Sequence, residues 1–166
     1  FIPPNLLEPV NFHIVEMIKE KTLEQGLLKT LHKAANLQNP VSFSYSFRVE
    51  VRDILPILTH PSDNNTTRVY WEQPSRGFAF AGLGSILEFQ LSIKDNSHNI
   101  SEQIKITMER GVSVSDNSLI GPRIIGGHAF NQYKGSDNTW NKFPRIQFLL
   151  PECLGTSTDD GSWLTI

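Results

Sequence analysis

Residues 41–52 read VSFSYSFRVEVR. Val41, Phe43, Tyr45, Phe47, Val49 and Val51 alternate with Ser42, Ser44, Ser46, Arg48, Glu50 and Arg52. Successive side chains of extended backbone point to opposite faces, so this period of two predicts a strand with one face buried. At about 3.3 Å per residue it would run roughly 35–40 Å, long for a small domain and a sign of a large sheet.

Other elements follow on both sides. Residues 10–37 carry a helical period with Val10, Ile14, Met17, Ile18, Gln25, Leu28 and Ala35 near one face. Leu23, Leu27, Leu31 and Ala34 fall on the opposite face. That phase change predicts two helices, or one broken near Thr22–Gly26. Residues 53–67 read as a connection with room for a helical turn. Strands are expected at 67–73 and 78–94, joined as a hairpin by the turn Pro74-Ser75-Arg76-Gly77. Residues 95–111 fit a helix ended by Gly111, although Ile104, Ile106 and Met108 also fit a short strand. Residues 122–130 and 143–151 read as strands flanking a polar loop, and 161–166 as a last one after an Asp159-Asp160-Gly161 turn. A helical lead-in (10–37) followed by a strand-rich region (41–166) makes one α+β segment, a mainly antiparallel sheet with flanking helices.

Composition narrows the function. The chain has 166 residues and a net charge of -2. That balance gives no support for nucleic acid or an anionic membrane as partner, since both favour basic patches. No apolar run approaches the roughly 20 residues of a membrane span. The single cysteine, Cys153, cannot form an internal disulfide, and a cytoplasmic setting is expected. Its neighbourhood after Pro151 and Glu152 suits a small apolar residue better than a nucleophile. The chain starts at Phe1 and ends in the apolar run GSWLTI, which predicts a piece of something longer.

Candidate sites are sparse. RIIGGHAF (123–130) could be a phosphate loop, a site built on His128, or a tight piece of buried sheet. Neither Gly82-Leu-Gly84 nor Gly126-Gly127 is followed by the helix and further residues of a nucleotide loop. Close approach of another backbone, where a Cβ would clash, is the expected reading. His128 has no metal-ligand partner at short spacing, and His13, His32, His60 and His98 are scattered. Glu72, Glu88, Asp137, Asp159 and Asp160 show no motif spacing, and no Gly-x-Ser-x-Gly elbow is present.

Three stretches carry a resemblance. VYWEQPSRGFAFAGLG (69–84), RIIGGHAF (123–130) and NTWNKFPRIQFLLPECL (138–154) resemble, in order and spacing, segments of isochorismate synthases. These belong to the chorismate-utilising enzymes, together with anthranilate, salicylate and aminodeoxychorismate synthases. The resemblance covers about residues 35–166. It implies the N-terminal portion of an α/β sandwich of two sheets flanked by helices. It also implies a parent enzyme that converts chorismate to isochorismate with Mg2+, for menaquinone or siderophore precursors. There a lysine activates water, a glutamic acid protonates the departing hydroxyl and other glutamates hold the metal. Those groups lie downstream of the Leu-Pro strand, so no catalytic, cofactor-binding or metal-binding residue carries over before Ile166. Lys134 and Lys142 lie in the wrong segment.

The positions that do carry over are scaffold positions: Tyr70, Trp71, Gly82, Gly84, Gly126, Gly127, Phe130, Trp140 and Pro151. Where anthranilate synthases read Leu-Leu-Glu-Ser, this chain reads Tyr-Trp-Glu-Gln at 70–73, so feedback tryptophan is not expected. The implied partner is the C-terminal half of the same enzyme, with chorismate as the parent's substrate. Sheet surface meant for that half is expected to drive self-association. A sibling chorismate enzyme and a stand-alone binding module remain as alternatives.

Overall fold

The alternating stretch forms β1 (Phe43–Val49) in a computed structural model that describes residues 20–59, 66–91, 97–129 and 144–166. Around it come α1 (Glu20–Leu37), α2 (Pro56–Thr59), β2 (Arg68–Gln73), β3 (Phe78–Leu83), β4 (Leu87–Leu91) and α3 (Ser97–Arg110). Then follow β5 (Val112–Ser115), β6 (Ile125–His128), β7 (Ile146–Leu150), β8 (Cys153–Thr158) and β9 (Gly161–Thr165). The strands make a six-stranded sheet, β2-β3-β8-β9-β1-β5, and a three-stranded sheet, β4-β7-β6. Every pairing is antiparallel except β1 with β5. The expected α+β class with a mainly antiparallel sheet is the one observed.

The two sheets are joined at a corner. β3 pairs with β8 in the large sheet and β4 with β7 in the small one. Both chains therefore cross side by side, through 84–86 and through 151–152. Leu83 faces Cys153 before the crossing and Leu87 faces Leu150 after it. Three residues thus oppose two, which is a bulge, the device that bends a strand pair. Gly84 takes a φ of +70°, which a side chain would resist. Its amide donates to the Thr67 carbonyl at 2.9 Å, and the Ile86 amide donates to the Leu150 carbonyl at 2.9 Å. Pro151 has no amide hydrogen to lose at the bend. A Cβ on Gly82 would stand 2.6 Å from Val69 Cγ1 and 3.0 Å from Pro151 Cγ.

One face of the large sheet holds the apolar core. Tyr45 and Phe47 are buried there against Leu23, Phe43, Val114, Leu164 and Ile166. Helix α1 lies on this face because Gly26 lets it approach. A Cβ at that position would be 2.7 Å from both Phe43 and Val114. Thr30 satisfies its buried hydroxyl by donating to the Gly26 carbonyl at 2.8 Å. Ile54 and Ile57 cover the other end of the face above Gly155.

Several expectations are corrected. β1 spans seven residues, not twelve, and Ser44 and Ser46 on its second face are buried too. α1 runs unbroken through Thr22–Gly26, so no break falls there, while residues 10–19 of the expected helical lead-in lie outside the described residues. Of the second apolar face, Leu23 packs on the core while Leu27 and Leu31 are exposed, and Leu28 of the first face is exposed as well. β4 does not extend the β2–β3 hairpin but enters the small sheet. β5 and β8 were not foreseen.

Gly126 and Gly127 separate here. A Cβ on Gly126 would collide with the Gln147 carbonyl and sit 2.6 Å from Phe148 Cα, whereas Gly127 has nothing within 4 Å. Gly126→Ala is expected to cost about 1–3 kcal/mol through overpacking. Gly127→Ala is expected to change stability by no more than about 0.5 kcal/mol. Denaturant unfolding of the two variants measures the difference.

Candidate functional site

Register assembles the second face of the large sheet. Trp71 faces Phe80, Phe80 faces Thr156, and Thr156 faces Trp163, forming one row across four strands. Trp71 stacks on Phe80 at 6.0 Å, and Phe78 meets Phe80 edge-on at 4.4 Å. The Arg123 guanidinium lies over Phe80 at 5.1 Å and over Phe78 at 6.0 Å. Arg48 covers Trp163 at 5.8 Å. The adjoining row runs Gly82, Leu154, Thr165, Ser46, with a 2.8 Å hydrogen bond between Ser46 and Thr165 hydroxyls.

Among the described residues this face has more polar groups than partners. Among the described residues, the buried polar side-chain atoms without a hydrogen bond are Ser44 Oγ, Thr156 Oγ1, Trp163 Nε1 and Arg123 Nε. By register Ser44, Thr156 and Trp163 all belong to this face, and Arg123 lies over it. An unmet buried polar group costs about 1–3 kcal/mol, so these atoms call for partners beyond the described side chains, water among them.

Two cavities open above the face. One, of about 310 Å3, is bounded by Ser44, Thr165, Leu154, Ile120, Arg123 and Leu150. The other is a groove of about 520 Å3 between the sheets, lined by Trp71, Phe78, Phe80, Arg123, Gly126 and Phe148. A third, open depression of about 910 Å3 lies at the β1, β2 and β8–β9 ends, with mixed charge from Arg48, Glu50, Arg52, Asp53, Glu72 and Asp159. There Tyr70 donates to Glu72 at 2.9 Å, and this bond holds the phenol above its ordinary value.

The motif positions serve the architecture in two groups. Gly82, Gly84 and Pro151 build the corner. Trp71 and Gly126 line the inter-sheet groove, while Tyr70 points to the opposite face of β2. Gly127 is an exposed strand residue, and Phe130 and Trp140 lie outside the described residues. His128 is exposed, its ring 3.3 Å from the Ala129 carbonyl. His32 is exposed on α1. His13, His60, Asp137 and the side chain of His98 lie outside the described residues. Glu72 and Glu88 stand on different sheets, and Asp159 and Asp160 form the β8–β9 turn. No group of three or more His, Cys, Asp or Glu able to hold a metal occurs among the described residues. The described side chains therefore build no all-protein cage for Mg2+, and no chemical step is derived through one.

Sequence reading missed Arg123 and the serine–threonine face. Ser44 and Ser46 looked like the solvent side of an amphipathic strand. The signal available was their small size, which suits an inward face better than the charged pairs that follow.

The model of the chorismate binding enzyme family matches residues 29–166. The chain belongs to that family. It is 26% identical over 155 residues to isochorismate synthase MenF of Bacillus subtilis (strain 168), covering 89% of this chain and 33% of that protein. It is 26% identical over 122 residues to the salicylate biosynthesis isochorismate synthase of Pseudomonas aeruginosa, covering 74% of this chain and 25% of that one. The chain thus spans about a third or less of the curated relatives it matches. No solved structure matches. No helix among the described residues is long and apolar enough to cross a membrane.

Cys153 of this chorismate-binding family member is a packing residue. Only 2% of it is exposed, and burial, helped by the Glu152 charge, pushes its thiol from 9.0 up to about 12. The native protein is expected to resist a thiol reagent at mildly alkaline pH and to react fully once unfolded. The folded value lies above the unfolded one, so the unfolded thiol ionises first. Its contribution to stability is full below about pH 9 and falls as pH rises toward about 12. Urea unfolding across that window, compared with Cys153→Ala, measures a slope of about 1.4 kcal/mol per pH unit.

Proposed function

We propose that this chain is the N-terminal scaffold portion of an isochorismate synthase, whose chemical groups reside in the rest of the polypeptide. The observation that carries this reading is the match, along most of the chain, to two proteins named isochorismate synthases, each at least three times the length matched. Moving a ring hydroxyl of chorismate needs a base for water and an acid for the departing hydroxyl. It also calls for hard oxygen ligands if Mg2+ takes part. This chain offers the complementary part, a bent pair of sheets that presents an inner face. The setting we infer is the cytoplasm.

Incubation of the purified chain with chorismate and Mg2+ is expected to yield no isochorismate. Measurable turnover would overturn the scaffold reading. Product analysis with the complete polypeptide separates this reading from a salicylate, aminodeoxychorismate or anthranilate synthase, and isochorismate is the expected product.

The scaffold reading has a colloidal consequence. Trp71 is 45% exposed and Leu31 64% exposed, and among the described residues the large sheet ends at β2 and β5 with no strand paired beyond them. Apolar surface and unpaired strand edges favour association. Light scattering of the isolated chain is expected to report a dimer or larger species, and a stable monomer would count against it.

A further inference from the structure

We infer that two copies of this chain pair through the outward side of α1, antiparallel about a two-fold axis that passes between Lys21 and Glu24. The side of α1 turned to the sheet is marked by Leu23, which packs on the core, and by the buried Gly26 and Thr30. At 100° per residue the opposite side carries Lys21, Glu24, Leu28, Leu31 and Ala35, and all five are exposed. These positions recur at alternating steps of three and four residues. That repeat keeps one stripe of a helix against a partner helix. The same steps, carried back into residues that lie outside the described ones, fall on Met17, Ile14 and Val10. Apolar residues thus occupy both ends of the stripe, and two opposite charges occupy its middle.

This pattern is self-complementary in one orientation. In the antiparallel pair Lys21 faces the partner's Glu24, Leu28 faces the partner's Met17, Leu31 the partner's Ile14 and Ala35 the partner's Val10. The two-fold axis repeats each contact with the roles exchanged, as an isologous interface requires. A parallel pair would set Lys21 on Lys21 and Glu24 on Glu24, and like charges at such positions repel. Neither residue is in an ion pair among the described residues, so both charges are free to serve a partner. Area points the same way. The exposed leucines of α1 alone make too small a patch for a stable interface, which buries about 800 Å2 per partner. Residues 10–17 nearly double the stripe, to roughly 38 Å of helix. Family membership does not dictate the contact, because the family's model matches from residue 29 onward and most of the stripe precedes it.

Analytical ultracentrifugation of the intact chain is expected to show a dimer. Leu31→Asp alters a position that the fold leaves exposed, and it is expected to weaken the dimer at least tenfold. Lys21→Glu and Glu24→Lys each place like charges in both central contacts, and each is expected to weaken it about tenfold. Mixing those two variants, or combining both changes in one chain, restores opposite charges. Either is expected to recover the original dissociation constant within about threefold, which damage to the fold would not allow. Circular dichroism verifies that each variant is folded. Disulfide trapping reads the register, and the buried Cys153 does not compete. Under mild oxidation a mixture of Met17→Cys and Leu28→Cys chains is expected to form a mixed disulfide, while neither chain alone forms a cross-linked dimer.

A monomer, a dimer unchanged by Leu31→Asp, no recovery on mixing the charge variants, or cross-linking of Met17→Cys alone would each overturn the pairing. The scaffold reading does not rest on it. A dimer that survives Leu31→Asp and is lost in Trp71→Ser would move association to the inner face and leave that reading standing. Chorismate turnover by the chain would remove that reading and leave the helix pairing intact.

Discussion

Everything on the inner face depends on the corner where three residues oppose two. If 84–86 and 151–152 matched one for one, β3–β4 and β7–β8 would continue as a single flat ladder. The extra residue bends both chains together, and the small sheet then stands across a groove from the large one. The conditions at the bend are local and strict. One glycine must adopt a left-handed φ, another must leave room for a proline ring, and that proline must sit where no amide hydrogen is required. A side chain at Gly82 would press on Val69 and Pro151 and push the two crossings apart.

The bend also explains why the two faces of one sheet differ in chemistry. The outer face is covered from within this chain, by α1 and by Ile54 and Ile57, so it is apolar and closely packed. The inner face receives the small sheet only near β2 and β3. Toward β9 and β1 it carries serine, threonine and tryptophan instead of leucine and valine. A buried face that keeps unmet hydroxyls is poor for stability alone. It fits a surface whose function requires polar contacts, and membership of a chorismate-binding family provides a context for such contacts.

The sequence made some of this legible and hid the rest for physical reasons. β2, β3 and the β8–β9 turn were visible because their signals are local: alternation, a Pro-Ser-Arg-Gly turn, and Asp-Asp-Gly. α3 was visible through its period and Gly111. β5, as VSVS, and β8, as CLGTST, were not, because short strands of small residues derive their stability from neighbours distant in sequence. The expected break at Thr22–Gly26 is absent because hydrophobic period records which residues are apolar, not which are covered. Leu27, Leu28 and Leu31 are apolar and exposed. The resemblance singled out Gly82, Gly84 and Pro151, but it could not show that they meet at one corner.

Arg123 shows how architecture and chemistry are coupled in this fold. It precedes β6 by two residues, so its position depends on β6 pairing with β7, and hence on Gly126 lying flat against Phe148. β7 in turn leads into Pro151 and the corner. The same chain of contacts that bends the sheets therefore carries a guanidinium over Phe78 and Phe80 and brings it to the border of both inner cavities. A disturbance at Gly126 would move a charge as well as a strand. The glycine pair in RIIGGHAF is thus unequal: the first member sets the approach that positions Arg123, and the second is free of that constraint.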